Sequence, residues 1–448
     1  MKKIGKKYIS PAKLLASGFM AIILTGGILL CLPISSSTHT YTHILDCIFT
    51  ATSAVCVTGL VVVDTGTHWS TFGQVVIICL IQIGGIGFMS LATFIFLIAR
   101  KRISMQSRIV LKDSYNLSQT GGIVRIAKHV LIFTFTTELI GALLSMITFV
   151  PRFGLVKGIG VSVFHSIASF CNAGFDVLGN YNSLTEYAAN PFILIVTSML
   201  IIIGGLGFFV IEDIASMRKG PRTLSFHTKL VLSTTLALIF FGALIIFIFE
   251  YNNPQTLGPL SLRDKIVESF FNSVTPRTAG FNSLNMLSLT SISALTIIIL
   301  MFVGGSPGST AGGIKTTTIS VLLITLYCWI RGKDNIEVFH RRIGFNSLKK
   351  SITITTITVL LILFDIFILS YTENGTLRQI AFEVFSAFGT VGLTMNFTPE
   401  LSAIGKIIII TAMYIGRLGP LTIALALSKE STNADGKYQY PEGDILLG

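Results

Sequence analysis

Four short segments of this chain carry the residues best suited to chemistry, and the chemistry available to them is that of backbone oxygen. FTATSAVCVTGL, FHSIASFCNAGF, FFNSVTPRTAGF and FEVFSAFGTVGL align on Gly59, Gly174, Gly280 and Gly392, which lie 115, 106 and 112 residues apart. Ten residues before each glycine stands a phenylalanine (Phe49, Phe164, Phe270, Phe382), and Leu60, Phe175, Phe281 or Leu393 follows it. Glycine reaches positive φ without steric cost, so the carbonyls around it can turn toward one axis. The residues lining that axis would be Val57, Thr58, Gly59; Asn172, Ala173, Gly174; Thr278, Ala279, Gly280; and Thr390, Val391, Gly392. None is charged. Four such turns around one axis make rings of oxygens that can replace the hydration shell of a cation such as K⁺.

A second motif follows each turn. QIGGIGFMSL, IIGGLGFFVI, FVGGSPGSTA and YIGRLGPLTI begin a glycine core at Gly84, Gly204, Gly304 and Gly416, which lie 25, 30, 24 and 24 residues past the turn glycines. Small residues at such spacing let membrane helices approach closely, so one copy alone would signify packing. Two features recurring four times in register indicate a repeated unit of helix, half-helix, glycine turn and helix. The third copy departs from the rest: Gly304, Gly305, Pro307, Gly308, Gly312 and Gly313 surround Ser306 inside an apolar stretch that ends at Lys315. Each glycine costs a helix about 1 kcal/mol and proline about 3, so this helix is expected to break. Broken membrane helices line cavities and form gates. In the fourth copy Arg417 takes the slot of Gly85, Gly205 and Gly305. A charge at mid-membrane costs at least about 2.5–3.5 kcal/mol. Arg417 is therefore expected to bind loop carbonyls or to raise a positive barrier to cations; snorkelling to the cytoplasmic face is the plainer alternative.

The elements that position these motifs follow from composition. Of 448 residues, 51 % are hydrophobic and only 12 % charged, with a mean hydropathy of +0.76. Soluble domains carry roughly twice that charge, so lipid is the solvent, and a soluble enzyme, a nucleic-acid binder and a disordered scaffold are excluded. Apolar runs at 14–33, 72–99, 126–150, 192–215, 226–250, 291–328, 350–371 and 402–428 are long enough to span a bilayer. The turn segments between paired runs are about 12 residues long, too short to cross, and read as re-entrant half-helices. The expected architecture is all-α and polytopic, with eight transmembrane helices as four membrane-pore-membrane repeats around a pseudo-fourfold pore. The repeats occupy 1–112, 113–222, 223–345 and 346–429, the third with its broken segment at 304–315, and 430–448 forms a polar tail.

The formal net charge of +12 collects on one side. Lys2, Lys3, Lys6, Lys7, Arg100, Lys101, Arg102, Arg108, Lys112, Arg218, Lys219, Arg222, Arg331, Lys333, Arg341, Arg342, Lys349 and Lys350 flank the runs there, against Arg152, Lys157, Arg263, Lys265 and Arg378 opposite. Positive charge marks the cytoplasmic face, which places both termini inside and brings the half-helices in from outside. No loop is long enough for a soluble domain, so any nucleotide-hydrolysing unit belongs to another chain.

Other motifs compete. GSTAGGIKT resembles a phosphate-binding loop, but Ile314 separates the glycine from Lys315 and no strand precedes it. GGSPG around Ser306 formally matches a hydrolase nucleophile elbow, yet His165 and His227 are not expected at its depth. Glu138, Asp365, Glu212 and Asp213 lie in or at the ends of apolar runs. They would serve ion coupling in an alternating-access carrier that moves K⁺ with Na⁺ or H⁺, or else pair with polar neighbours. Asp64 and Asp176, just beyond the turns, either concentrate cations at the mouth or are simply solvated. Six cysteines without a C-x-x-C pair read as small buried hydrophobes.

With its four pore motifs and one glycine in each, the chain resembles the membrane subunits of Ktr potassium transporters, in the superfamily that includes Trk and plant HKT proteins. The resemblance covers essentially the whole chain. It implies selective K⁺ uptake at the cell membrane, a homodimer with one pore per subunit, and a cytoplasmic ring of nucleotide-binding (RCK or KTN type) subunits as regulator. No covalently bound cofactor is implied; the nucleotide belongs to the partner. In this family serine at the first turn glycine goes with sodium permeation, and Gly59 here implies potassium preference. Departures from a symmetric TVGYG filter imply fewer ordered ion sites. The resemblance also makes 304–315 an intramembrane loop below the filter that obstructs the pore until the regulator shifts it. The tail is expected to dock at the dimer or regulator interface, with a frayed terminus as the plainer alternative.

Overall fold

The computed structural model describes residues 11–87, 123–217, 224–420 and 422–423. The basic residues at 2–7, 100–112 and 218–222 and the tail at 430–448 lie outside them. Fourteen α-helices occur among the described residues, and they recur in one order. Helices α1 (Pro11–Cys31), α2 (Ile44–Val55) and α3 (Thr71–Ile86) form the first group. The second comprises α4 (Ile123–Phe153), α5 (Leu155–Phe170), α6 (Pro191–Leu206) and α7 (Phe208–Met217). The third holds α8 (Phe226–Glu250), α9 (Leu262–Val274), α10 (Ser291–Phe302) and α11 (Thr316–Ile330), and the fourth α12 (Phe345–Thr372), α13 (Leu377–Gly389) and α14 (Ala403–Leu418). A two-residue hairpin, β1 (Glu337–Val338) against β2 (Arg341–Arg342), links α11 to α12.

The first helix of every group is long and apolar enough to cross a membrane, and α6 with α7 makes a fifth such unit, bent by 93°. Large apolar side chains such as Leu139, Phe240, Leu360 and Phe367 stand exposed on the long helices, as a lipid-facing surface requires. The short helices α2, α5, α9 and α13 have 12, 16, 13 and 13 residues and occupy the interior. Local chemistry sets where helices begin. Ser70, Ser225, Ser261, Thr290, Thr376 and Ser402 each accept a hydrogen bond from a backbone N–H of the first turn, satisfying a donor that a helix otherwise leaves orphaned.

The outgoing helices depart from expectation. Only the third was expected to break, and it does, between Phe302 and Thr316. The run expected at 192–215 breaks as well, at Gly207. The run expected at 402–428 ends its helix at Leu418, and α3 stops at Ile86. The cause is one glycine at the same register: Gly87, Gly207 and Gly419 adopt φ/ψ of 84°/131°, 92°/139° and 84°/137°. That backbone conformation is costly for any residue with a Cβ. Pro307 holds this register in the third group and cannot adopt it; there the helix has already ended at Phe302.

Packing closes the groups into a ring. Each short helix packs against the outgoing helix of the preceding group: α5 on α3, α9 on α6, α13 on α10 and α2 on α14. The last of these seams, between the ends of the described chain, carries the ion pair of Lys406 Nζ with Asp46 Oδ1 at 2.7 Å.

Candidate functional site

The four turns meet at the centre of this ring. A methyl group placed on Gly59 would lie 2.5 Å from Ala173 O, on Gly174 2.9 Å from Ala279 O, on Gly280 2.2 Å from Val391 O, and on Gly392 2.2 Å from Thr58 O. Each glycine thus abuts the next group's turn, and the fourth returns to the first. The turn glycines have φ of 94°, 66°, 78° and 96°. The residue two before each is left-handed too: Val57 at 57°, Asn172 at 59°, Thr278 at 70° and Thr390 at 51°. The sequence assigns this conformation to the glycines alone. In non-glycine residues it costs about 1–3 kcal/mol and persists only where the surroundings impose it.

The short helices impose it by binding the turns' N–H groups. Thr58 N donates to Ser53 O, Ala173 N to Ala168 O and Val391 N to Ser386 O, each at 2.8 Å; Ala279 N donates to Thr275 O at 3.0 Å. The hydroxyls of Ser53 and Ser386 accept from Gly59 N and Gly392 N at 3.0 and 3.1 Å. Among the described residues none donates a hydrogen bond to a carbonyl of the twelve turn residues. Donors are held outward, and acceptors are left over.

The third turn differs by one residue. In groups one, two and four the second turn residue bonds five residues back, whereas Ala279 bonds four back. Pro276 has no N–H to continue α9, which stops at Val274, so this connection is shorter. The buried counterpart of Phe49, Phe164 and Phe382 is therefore Phe271, fully buried, and not the half-buried Phe270.

On one side the ring opens into a vestibule of about 360 Å³, floored by the four glycines and walled by Asp64, Asp176 and Glu400. Glu400 was not singled out from the sequence, because nothing local marks it. Asp64 also serves structure: Oδ2 accepts from Thr67 N and Oγ1 at 2.8 and 2.6 Å, and Oδ1 accepts from Tyr181 N at 3.0 Å. Burial pushes the Asp176 carboxyl up to about 7, against the opposing pull of backbone N–H groups, and the nearby Asp64 charge adds to the rise.

On the other side the loop from Val303 to Lys315 crosses beneath the ring. Thr310 Oγ1 donates to Phe170 O and Gly204 O, both at 3.2 Å, and Ser306 N donates to Gly205 O at 3.0 Å. Gly313 N donates to Gly416 O at 3.2 Å, while a methyl on Gly312 would lie 2.2 Å from Thr390 Oγ1. Gly304, Gly305, Pro307 and Gly308 form its first half; Gly304 N donates to Ile314 O at 2.9 Å, and Phe208 N donates to Gly308 O at 2.9 Å. Both nearby cations are bound to backbone oxygen. Lys315 Nζ donates to Ala311 O at 2.7 Å, and the Arg417 guanidinium donates to Thr310 O and Gly84 O.

The recurring glycine core also acquires a reason. A methyl on Gly84, Gly204 or Gly416 would lie 2.0 Å from Val55 O, Phe170 O or Phe388 O, at the C-terminal ends of the short helices. Backbone meets backbone there. Other singled-out residues lie elsewhere. Glu138 accepts from Gln82 Nε2 at 2.9 and 3.1 Å, and Asp213 accepts from Ser225 N and Thr228 Oγ1 at 2.9 and 2.5 Å. Glu212 faces His129, and Asp365 is half-buried on α12. Ser306 Oγ accepts from Thr316 Oγ1 at 3.2 Å, whereas His165 Nε2 pairs with Thr197 Oγ1 at 2.9 Å. All six cysteines are free; Cys47, Cys56, Cys171 and Cys328 are buried as expected, but Cys31 is half-buried and Cys79 exposed.

Helices with exposed apolar faces, closed around half-length helices, define a polytopic membrane protein. TrkH, a potassium transporter from Vibrio parahaemolyticus, has this fold: its structure matches with a TM-score of 0.73 at 17 % identity, over 95 % of this chain and 87 % of its own. The chain belongs to the TrkH family of cation transport proteins, which matches residues 16–436. It is 44 % identical to the potassium/sodium uptake protein NtpJ of Enterococcus hirae, over 100 % of this chain and 99 % of that one. It is 43 % identical to the Ktr system potassium uptake protein B of Bacillus subtilis, over 98 % and 97 %.

Proposed function

We propose that this protein carries K⁺ into the cell by conduction through the ring of turn carbonyls. The observation that carries the reading is the closed set of four glycine turns whose carbonyls have no hydrogen-bond donor among the described residues. Oxygens in that state bind a dehydrated monovalent cation. A potential of 100 mV contributes about 2.3 kcal/mol per K⁺, enough for roughly 50-fold accumulation without ATP. The names of the uptake-protein relatives support potassium as cargo. Glycine at all four positions supports K⁺ over Na⁺.

In this reading the groups are four membrane-pore-membrane repeats with eight crossings, and both termini are cytoplasmic. The basic residues linking α11 to α12 support that orientation. The loop at 303–315 is the gate, held by Lys315 and Arg417. By likeness to Ktr systems, the protein acts as a homodimer on a nucleotide-binding cytoplasmic ring. A second reading, that Na⁺ also passes, is favoured by the name of the E. hirae relative.

The test is uptake of K⁺ and Na⁺ into proteoliposomes under an imposed potential, with Gly59→Ser compared. Voltage-driven K⁺ uptake whose preference falls in the variant supports the reading. Uptake indifferent to voltage and dependent on a proton gradient would replace it with a carrier.

A further inference from the structure

Behind each turn the short helix places one polar side chain at equivalent depth: Thr50, His165, Asn272 and Glu383, all buried. The first two bond away from the exit strand, the chain that leaves the turn toward the vestibule. Thr50 Oγ1 donates to Asp46 O of its own helix at 2.8 Å, and His165 pairs with Thr197 on α6. The other two do the opposite. Glu383 Oε2 accepts from Thr394 Oγ1 at 2.6 Å and Oε1 from Thr398 Oγ1 at 2.5 Å. Thr394 lies two residues past Gly392 and lines the vestibule, and its hydroxyl in turn accepts from Phe397 N at 3.1 Å. In the third group Asn272 Nδ2 donates to Glu268 Oε2 at 2.9 Å, and that oxygen also accepts from Ser283 Oγ, three residues past Gly280, at 2.5 Å. Ser283 adjoins Asn282, which also lines the vestibule.

Glu268 and Glu383 are fully buried with no cation bound to either among the described residues. A buried carboxyl whose partners are only hydroxyls and an amide is a poor stabiliser, since desolvation offsets what the bonds return. It is a short-range orienter, because its oxygens accept from hydroxyls at 2.5–2.6 Å and so fix where those side chains sit. Resting on the conduction reading above, we propose that Glu383, and Glu268 together with Asn272, are positioning residues that hold the exit strands of turns three and four and so set the width of the outermost oxygen ring. Discrimination between K⁺ and the smaller Na⁺ is then set mainly on this half of the ring.

The test compares Glu383→Gln, Thr394→Val and Glu268→Gln with the parent and with Thr50→Val, by initial rates of K⁺ and Na⁺ uptake into proteoliposomes under one imposed potential. Glu383→Gln and Thr394→Val are expected to lower the K⁺/Na⁺ rate ratio about tenfold, the scale of one lost buried hydrogen bond. Glu383→Asp is expected to restore part of the ratio, and Thr50→Val to keep it. Should Glu383→Gln fail to assemble, Thr394→Val decides, since it removes the donor with little change of volume. Variants that fold and keep the parental ratio within twofold overturn the proposal, as does an equal loss in Thr50→Val. A parent that moves neither ion defeats the conduction reading instead, and a selective parent with unchanged variants defeats only this one.

Discussion

The ring of turns and the loop beneath it are built from the same repeat and treat its symmetry in opposite ways. In the ring, four unlike sequences adopt one backbone path, left-handed at the first and third residues of every turn. In the loop, only the third group departs, and its residues hydrogen-bond to Gly204, Gly205 and Gly416 of other groups, while Arg417 ties it to Gly84. Symmetry is kept where four backbones serve one axis. It is given up where a single element must reach across that axis, because four crossing loops would collide.

The comparison breaks most sharply at the ring. Gly392→Ala and Gly280→Ala place a methyl 2.2 Å from a neighbouring carbonyl at positive φ. Overpacking and strain together amount to about 3 kcal/mol, so K⁺ uptake is expected to fall roughly a hundredfold. Gly174→Ala, at 2.9 Å, should lose less; equal losses would show that the ring is looser than its contacts imply.

Next come the glycines that bring the outgoing helices against the short ones. Gly204→Ala, with its methyl 2.0 Å from Phe170 O, is expected to destabilise by about 1–3 kcal/mol in thermal unfolding in detergent. Gly160→Ala meets nothing within 4 Å and is expected to stabilise α5 by about 0.5–1 kcal/mol. Beneath the ring, Arg417→Gln removes charged donors from Thr310 O and Gly84 O. Each such bond contributes about 1.5–3 kcal/mol, so flux through the purified protein is expected to rise about tenfold as the loop loosens. Unchanged flux would remove Arg417 from the gate.

The smallest effect belongs to the vestibule. With its carboxyl near 7, Asp176 is neutral in mild acid and charged above neutrality. A unit charge at roughly 8 Å in water contributes about 0.5 kcal/mol, so K⁺ uptake at low concentration should rise about twofold from pH 6 to pH 8 and stay level in Asp176→Asn. Stability runs the other way. The unfolded carboxyl titrates near 3.8, so the folded protein holds the extra proton between 3.8 and about 7. That contribution is complete below 3.8 and is lost as pH rises through 7.

Sequence reading found the elements that repeat in register: the turn glycines, the short helices and the third group's break are legible because composition and spacing encode them. It missed what depends on partners far along the chain. The positive φ of Val57 and Thr390 is imposed by backbone hydrogen bonds to their short helices. The shorter third turn shifts Phe271 into the buried slot of Phe270, and only the N–H pattern reveals it. Gly207 and Gly419 were visible as glycines but read as helix-packing residues, since a hinge and a contact surface share one spelling. The role of Glu383 depends on Thr394 and Thr398, which fold back onto it across a turn.

The seam between α14 and α2, where Lys406 meets Asp46, joins the last group to the first. During synthesis the circle therefore stays open until the final helices have left the ribosome. A prematurely terminated chain lacks one wall and cannot close the ring of turns, and a substitution that weakens this seam would act first on biogenesis, lowering the amount of finished protein before it altered any property of the survivors.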